Sequence, residues 1–218
     1  MAWLNLPNAI TIGRIALAVL LAPMILTDRF GVRLAAFVVF LVAAFSDMVD
    51  GKIARKHNLI TDFGKLADPL ADKLLLACTI VPFYLLSHGM EPETPFPWFG
   101  ATLPLWILVV IFGREIFITV FRGYAARRGV VLAAGKAGKL KAVFQNIAIG
   151  AVIFWYALHS TARAHGWEGA SFWEGFWVPF HRLFSMANLA VAVVLTVWSL
   201  YVYLQTFRTL DLQRKEAR

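Results

Sequence analysis

Four aspartates stand at the edges of apolar runs in one short stretch, Ser46–Lys73, which reads SDMVDGKIARKHNLITDFGKLADPLADK. Asp47 and Asp50 are three residues apart, and Asp68 and Asp72 are four apart. On a helix, either spacing puts both members of a pair on one face. Four carboxylates brought together repel one another, so they take up protons or bind cations. Hard oxygen donors select Mg²⁺, Mn²⁺ or Ca²⁺. Four suffice to bridge two ions, the arrangement that clamps attacking and leaving oxygens in phosphoryl chemistry. Between and beside the pairs lie the small residues Gly51, Ala54 and Gly64, which let a ligand approach the backbone. Arg55 offers a bidentate donor to phosphate oxygens. A single aspartate here reads as a helix cap or a lysine's partner, and Asp62 is given that role. The four together read as functional, because carboxylates at membrane depth are costly and rarely without a task.

The elements that must position these acids are membrane helices. The chain of 218 residues is 60% hydrophobic and 16% charged, against about 45–50% and about 25% in soluble domains. Six segments approach the roughly 20 apolar residues that a spanning helix needs: about 10–27, 32–50, 66–87, 101–124, 140–159 and 183–207. The expected fold is therefore all-α, a polytopic membrane protein of six transmembrane helices forming a single domain over 1–218. A short N-terminal interfacial segment, AWLNLPN, is expected to precede the first span, with Pro7 and Asn8 breaking the chain. Pro69 is expected to fix where the third helix begins. A loop of about 15 residues between the second and third helices lets them lie side by side, so that both acid pairs meet.

Charge orients the bundle. The formal net charge is +8, and in so greasy a chain it points to anionic lipid or anionic substrates rather than nucleic acid. Lysine and arginine concentrate between Lys52 and Lys65, between Arg122 and Lys141, and in the tail. The positive-inside rule then puts both termini and the acid stretch in the cytoplasm. The aromatic-rich connections, around Trp98 and from Ser160 to Arg182, fall on the other side as interfacial belts. No cleavable signal peptide is expected. Cys78 is the only cysteine; alone it makes no intrachain disulfide and no zinc site, and it reads as a small buried hydrophobe.

A second group of residues suits an anion. Arg114 sits in an apolar helix beside Glu115, and Arg122 follows eight residues on, about two turns along the same face. An arginine at that depth is expected to face the bundle interior. Lys136, Lys139 and Lys141 lie where the fifth helix begins. Together the five form a candidate pocket for a phosphate dianion. The competing reading is that the lysines obey the positive-inside rule or touch anionic headgroups. Glu115 is expected to pair with a nearby arginine or lysine.

At this point a family resemblance appears. Asp47-x-x-Asp50-Gly51-x-x-Ala54-Arg55, eight residues, then Gly64-x-x-x-Asp68-x-x-x-Asp72 matches the signature of the CDP-alcohol phosphotransferases at all eight fixed positions. NLPNAITIGRIAL, GREIFITVFRGYAARRG and GKAGKLKAVFQ are similar to the branch that makes phosphatidylglycerophosphate. The likeness runs to about Gln145. It implies a membrane enzyme, a homodimer open to the cytoplasm, in a bacterial inner membrane. It implies CDP-diacylglycerol and glycerol 3-phosphate as substrates, with membrane lipids around them, and two divalent cations, Mg²⁺ or Mn²⁺, as cofactors. Carried over by position, Asp47, Asp50, Asp68 and Asp72 are metal ligands, and Asp72 is also the general base. Asn8, Gly51, Ala54, Arg55, Thr61 and Gly64 line the CDP-diacylglycerol site. Arg114, Arg122, Lys136, Lys139 and Lys141 receive the acceptor's phosphate. The same family with inositol phosphate, serine or a phospholipid as acceptor is the near alternative. A cation transporter is the alternative of another class, since intramembrane acids also mark ion paths.

Overall fold

The computed structural model describes residues 6–56, 61–128 and 135–216, and the side chains of all of these but 47–56, 62, 65, 136 and 211–216. Among the described residues there are helices and no strands. Six of the helices are long: α1 (Leu6–Leu26), α2 (Phe30–Lys56), α3 (Asp62–Leu85), α4 (Leu105–Arg127), α5 (Lys136–His165) and α6 (Val178–Glu216). In this description four stretches are long and apolar enough to cross a membrane: Leu6–Leu26, Leu66–Met90, Ala137–His165 and Trp173–Leu210. The apolar part of α2, Phe30–Ser46, is shorter. Helix α4 is continuous, but its apolar sequence is interrupted by the charged residues Arg114, Glu115 and Arg122.

Several boundaries differ from the expectation, each for a local reason. Helix α1 already includes Leu6, Pro7 and Asn8, with Pro7 and Asn8 buried. A proline in the first turn lacks only an N–H that has no helical partner anyway, so Pro7 breaks nothing. Of the expected interfacial segment, residues 1–5 lie outside the described residues. Pro69 lies inside α3 rather than at its start. The start is set by Thr61, whose backbone is extended and whose hydroxyl accepts the Gly64 N–H at 3.0 Å. That is an N-cap, which satisfies one of the four orphan donors of the first turn. The cap is thus Thr61, and the side chain of Asp62 lies outside the described residues. Because α2 runs on to Lys56 and α3 begins at Asp62, the connection is much shorter than the expected loop. The stretch from Ser160 to Arg182 is largely helical: α5 continues to His165, and a π turn, Trp173–Trp177, leads into α6.

By its contacts the chain divides into two compact units, Met1–Leu103 with Ile149–Phe184, and Pro104–Ala148 with Ser185–Arg218. In the first, α1 packs against both α2 and α3. Its buried stripe recurs every three or four residues and changes character along the helix: Asn8, Thr11 and Arg14 near the start, then Ala18, Leu21 and Ile25. Buried positions on the neighbouring helices include the small residues Ala36 and Ala43 on α2 and Gly64, Ala67 and Ala71 on α3. In lipid no hydrophobic driving force draws helices together, so close approach and interhelical hydrogen bonds must hold them.

A polar network closes the other end of this unit. Arg33 is 1% exposed. It donates to Ile25 O at 3.2 Å, to Ser160 Oγ at 2.6 Å and to the carboxylate of Glu91. Glu91, 7% exposed, also takes Arg163 and the Thr94 hydroxyl. Arg163 reaches Asp28 at 3.0 Å as well. The network ties the end of α1, the start of α2, the connection after α3 and the end of α5. In the second unit, α4 buries Ile107, Ile111, Ile118 and Ala125, and Phe121 meets Phe207 edge-on at 4.9 Å.

Candidate active site

The acid site belongs to the first unit and is organised by α1. Asp68 and Asp72 stand one turn apart on α3. The Thr11 hydroxyl donates to Asp68 Oδ1 at 2.8 Å. Arg14 donates through Nη1 to Asp72 Oδ1 at 3.3 Å and through Nε to Ser46 Oγ at 3.3 Å. Arg14 is 1% exposed, whereas the Asp72 side chain is 59% exposed. A fully buried guanidinium thus reaches out to a carboxylate at the edge. One guanidinium thus bridges the Ser46 side chain on α2 and the Asp72 side chain on α3.

The other acid pair follows from there. Ser46 immediately precedes Asp47, and α2 continues helically through Asp50, Gly51, Ala54 and Arg55 to Lys56. The helical spacing expected for Asp47 and Asp50 is therefore present in the backbone. The side chains of Asp47, Asp50, Ala54 and Arg55, like the position of Gly51 toward any ligand, lie outside the described residues.

Two expected nucleotide residues are joined at the start of α3. Thr61 caps the helix and donates its hydroxyl to Asn8 Oδ1 at 3.0 Å. Gly64 is pressed against this pair: a Cβ there would stand 3.0 Å from Asn8 Oδ1 and 3.3 Å from Thr61 Oγ1. Only glycine fits so close an approach without displacing a neighbour.

The donor set suits a hard cation. Asp68 and Asp72 supply oxygen only, and they project from a helix whose neighbour carries the other acid pair in its backbone register. Among the described residues alone, no group of three or more His, Cys, Asp or Glu is placed to hold a metal.

The anion candidates belong to the second unit. Glu115 Oε1 accepts from Arg114 Nη1 at 2.9 Å and from Lys141 Nζ at 2.6 Å. Arg114 and Lys141 are thus brought together, and Glu115 pairs with both. The guanidinium lies against the start of α5, where a Cβ on Gly138 would stand in ordinary contact with Arg114 Nη2 at 3.6 Å. Arg122 turns instead to Tyr203, donating to its hydroxyl at 3.3 Å with the guanidinium over the ring. Lys139 is exposed. The side chain of Lys136 lies outside the described residues.

With this geometry in view, a family model for CDP-alcohol phosphatidyltransferase matches residues 4–198. The chain belongs to this family. A Bacillus subtilis protein named CDP-diacylglycerol–glycerol-3-phosphate 3-phosphatidyltransferase is 37% identical over 161 residues, covering 68% of this chain and 76% of its own. A Rickettsia felis protein of the same name is 33% identical, covering 68% and 75%. A chloroplastic and mitochondrial protein of that name from Arabidopsis thaliana is 32% identical, covering 93% of this chain and 62% of its own. Together with its apolar helices, this makes the CDP-alcohol phosphatidyltransferase a multi-pass membrane enzyme.

Thr11, Arg14 and Ser46 were not singled out as holding the acids of this CDP-alcohol phosphatidyltransferase. A signal for two of them exists. Asn8, Thr11 and Arg14 are polar, spaced by three, in an otherwise apolar helix. Such a polar stripe must face a partner rather than lipid. Ser46 carries no comparable signal.

Proposed function

We propose that this enzyme transfers the phosphatidyl group of CDP-diacylglycerol to glycerol 3-phosphate, giving phosphatidylglycerophosphate and CMP. The observation that carries the reading is the pair Asp68 and Asp72, oriented by Thr11 and Arg14 beside the end of α2. The relatives, named for transfer to glycerol 3-phosphate, supply the acceptor.

In this mechanism Asp47, Asp50, Asp68 and Asp72 would hold two divalent cations, Mg²⁺ or Mn²⁺, which would neutralise the diphosphate and acidify the acceptor hydroxyl. Gly51, Ala54, Arg55 and Gly64 line the place of the cytidine diphosphate, with Arg55 donating to its oxygens. Asn8 and Thr61 shape the floor of that place rather than reaching into it, since each engages the other. Asp72 takes the proton of the primary hydroxyl of glycerol 3-phosphate. The hydroxyl oxygen forms a bond to the lipid-linked phosphorus, the bond from that phosphorus to the CMP oxygen breaks, and CMP departs with the electron pair. Arg14 fixes the plane of the Asp72 carboxylate and so its line to the proton. Arg114 and Lys141, together around Glu115, receive the phosphate of the acceptor, with Arg122, Lys136 and Lys139 adding positive potential.

The reading includes six membrane crossings, with α2 and α4 as the two beyond the four that length and apolarity alone identify. The site and both termini face the cytoplasm, in a bacterial inner membrane, and the enzyme works as a homodimer. The positive-inside distribution of lysine and arginine supports that orientation. The test is CMP release by the purified enzyme from CDP-diacylglycerol, offered glycerol 3-phosphate, serine and inositol phosphate in turn. Glycerol 3-phosphate is expected to give the fastest release by a wide margin; faster release with serine or inositol phosphate refutes the assignment.

A further inference from the structure

In the second unit, two buried polar atoms near the Arg114–Glu115–Lys141 group have no hydrogen-bond partner. They are Arg114 Nε, a donor, and Gln145 Oε1, an acceptor. Gln145 is 8% exposed and lies one turn beyond Lys141 on the same face of α5. The rise between those two positions is about 6 Å. An unpaired buried acceptor is costly, and a hydroxyl delivered by a ligand relieves the cost. Arg114 and Lys141 place two cationic donors at the Lys141 end, both on Glu115 Oε1.

We propose that Gln145 determines acceptor specificity by accepting a hydrogen bond from the non-reacting secondary hydroxyl of the acceptor, while Arg114 and Lys141 hold its phosphate. The inference rests on the proposed function and sharpens it. The ligand class is a phosphomonoester with a hydroxyl on the carbon next to its ester carbon. In glycerol 3-phosphate that hydroxyl is one ester oxygen and two carbons from phosphorus, a separation that one helical turn accommodates. The primary hydroxyl is not used by these contacts.

The test compares glycerol 3-phosphate with 3-hydroxypropyl phosphate, which keeps the phosphate and the primary hydroxyl and lacks the secondary one. The readout is the ratio of kcat/KM for the two acceptors, which does not depend on how much of a variant folds. The full-length enzyme is expected to favour glycerol 3-phosphate by about tenfold or more. In Gln145→Leu and in the near-isosteric Gln145→Met the ratio is expected to fall to within about threefold of unity, through loss on glycerol 3-phosphate alone, with KM for CDP-diacylglycerol unchanged. A ratio that stays at the unsubstituted enzyme's value in both variants, or an unsubstituted enzyme without preference, overturns the role of Gln145. An unsubstituted enzyme that turns over neither phosphate, but does use another acceptor, overturns the proposed function and this inference with it.

Discussion

Replacing Glu91 by glutamine separates stability from catalysis. Glu91 is the buried acceptor on which Arg33 and Arg163 converge, with Thr94 donating to it at 2.6 Å. Burial raises its carboxyl pKa, but the hydrogen bonds from Arg33, Thr94 and Arg163 and the charge of Arg33 outweigh that effect and hold it below the usual carboxylate value. The folded value lies below the unfolded one. Glu91 therefore contributes stability that is full above the ordinary carboxylate range and is lost as pH falls through it toward the lowered folded value. Glutamine keeps the shape and removes the charge. Arg33, 1% exposed, is then left facing Asp28, whose side chain is 71% exposed and poorly placed to compensate. Stranding one member of a buried ion pair costs about 3 kcal/mol or more. Thermal unfolding in detergent or nanodiscs is expected to show a melting temperature lower by several degrees. The variant is also expected to lose part of the stability decline that the unsubstituted enzyme shows on acidification. CMP release per folded enzyme is expected to stay within about twofold, because Glu91 follows the far end of α3 from Asp68 and Asp72. Equal melting temperatures and the same acid decline would refute a stabilising role for the network.

The remaining predictions concern the acid site. Arg14→Lys supplies one nitrogen in place of the guanidinium that reaches both Ser46 and Asp72; CMP release is expected to fall by about a hundredfold from the misplaced carboxylate. Its melting temperature is expected to fall as well, since the buried cation loses the geometry that satisfies it. Gly64→Ala presses on Asn8 and Thr61, and is expected to cost about 1–2 kcal/mol in unfolding measurements. Gly123→Ala, with nothing within 4 Å, is expected to be neutral or to stabilise by up to about 1 kcal/mol. Chelation with EDTA is expected to abolish CMP release, and Mg²⁺ or Mn²⁺ to restore it, whereas Zn²⁺ alone restores far less.

The reach of the sequence varied with the kind of feature. The acids were legible because their spacing is a local property of a helix, and Asp68 and Asp72 indeed lie one turn apart on α3. Six long helices were expected and are present among the described residues, four of them with the length and apolarity to cross a membrane, but their ends were not legible. Pro7 is expected as a break and Pro69 as the start of the third helix, yet a proline within the first turn costs nothing, and at α3 the Thr61 cap puts the start at Asp62, seven residues before Pro69. The pairing of Glu115 with its cationic neighbours was anticipated, and the diversion of Arg122 to Tyr203 was not, since it depends on a residue 81 positions away. The Arg33–Glu91–Arg163 network escaped notice for the same reason. Its members are separated by 58 and 72 positions, and each alone reads as an ordinary interfacial charge.

The central claim is that the acids of α2 and α3 transfer a phosphatidyl group to glycerol 3-phosphate. The most direct measurement follows isotope-labelled glycerol 3-phosphate into the lipid phase, using purified enzyme, CDP-diacylglycerol and Mg²⁺. The account predicts one labelled phosphatidylglycerophosphate per CMP released, with both products reduced by at least about a thousandfold in Asp72→Asn that still folds. Release of CMP without label entering lipid, or full label transfer by Asp72→Asn, would contradict it.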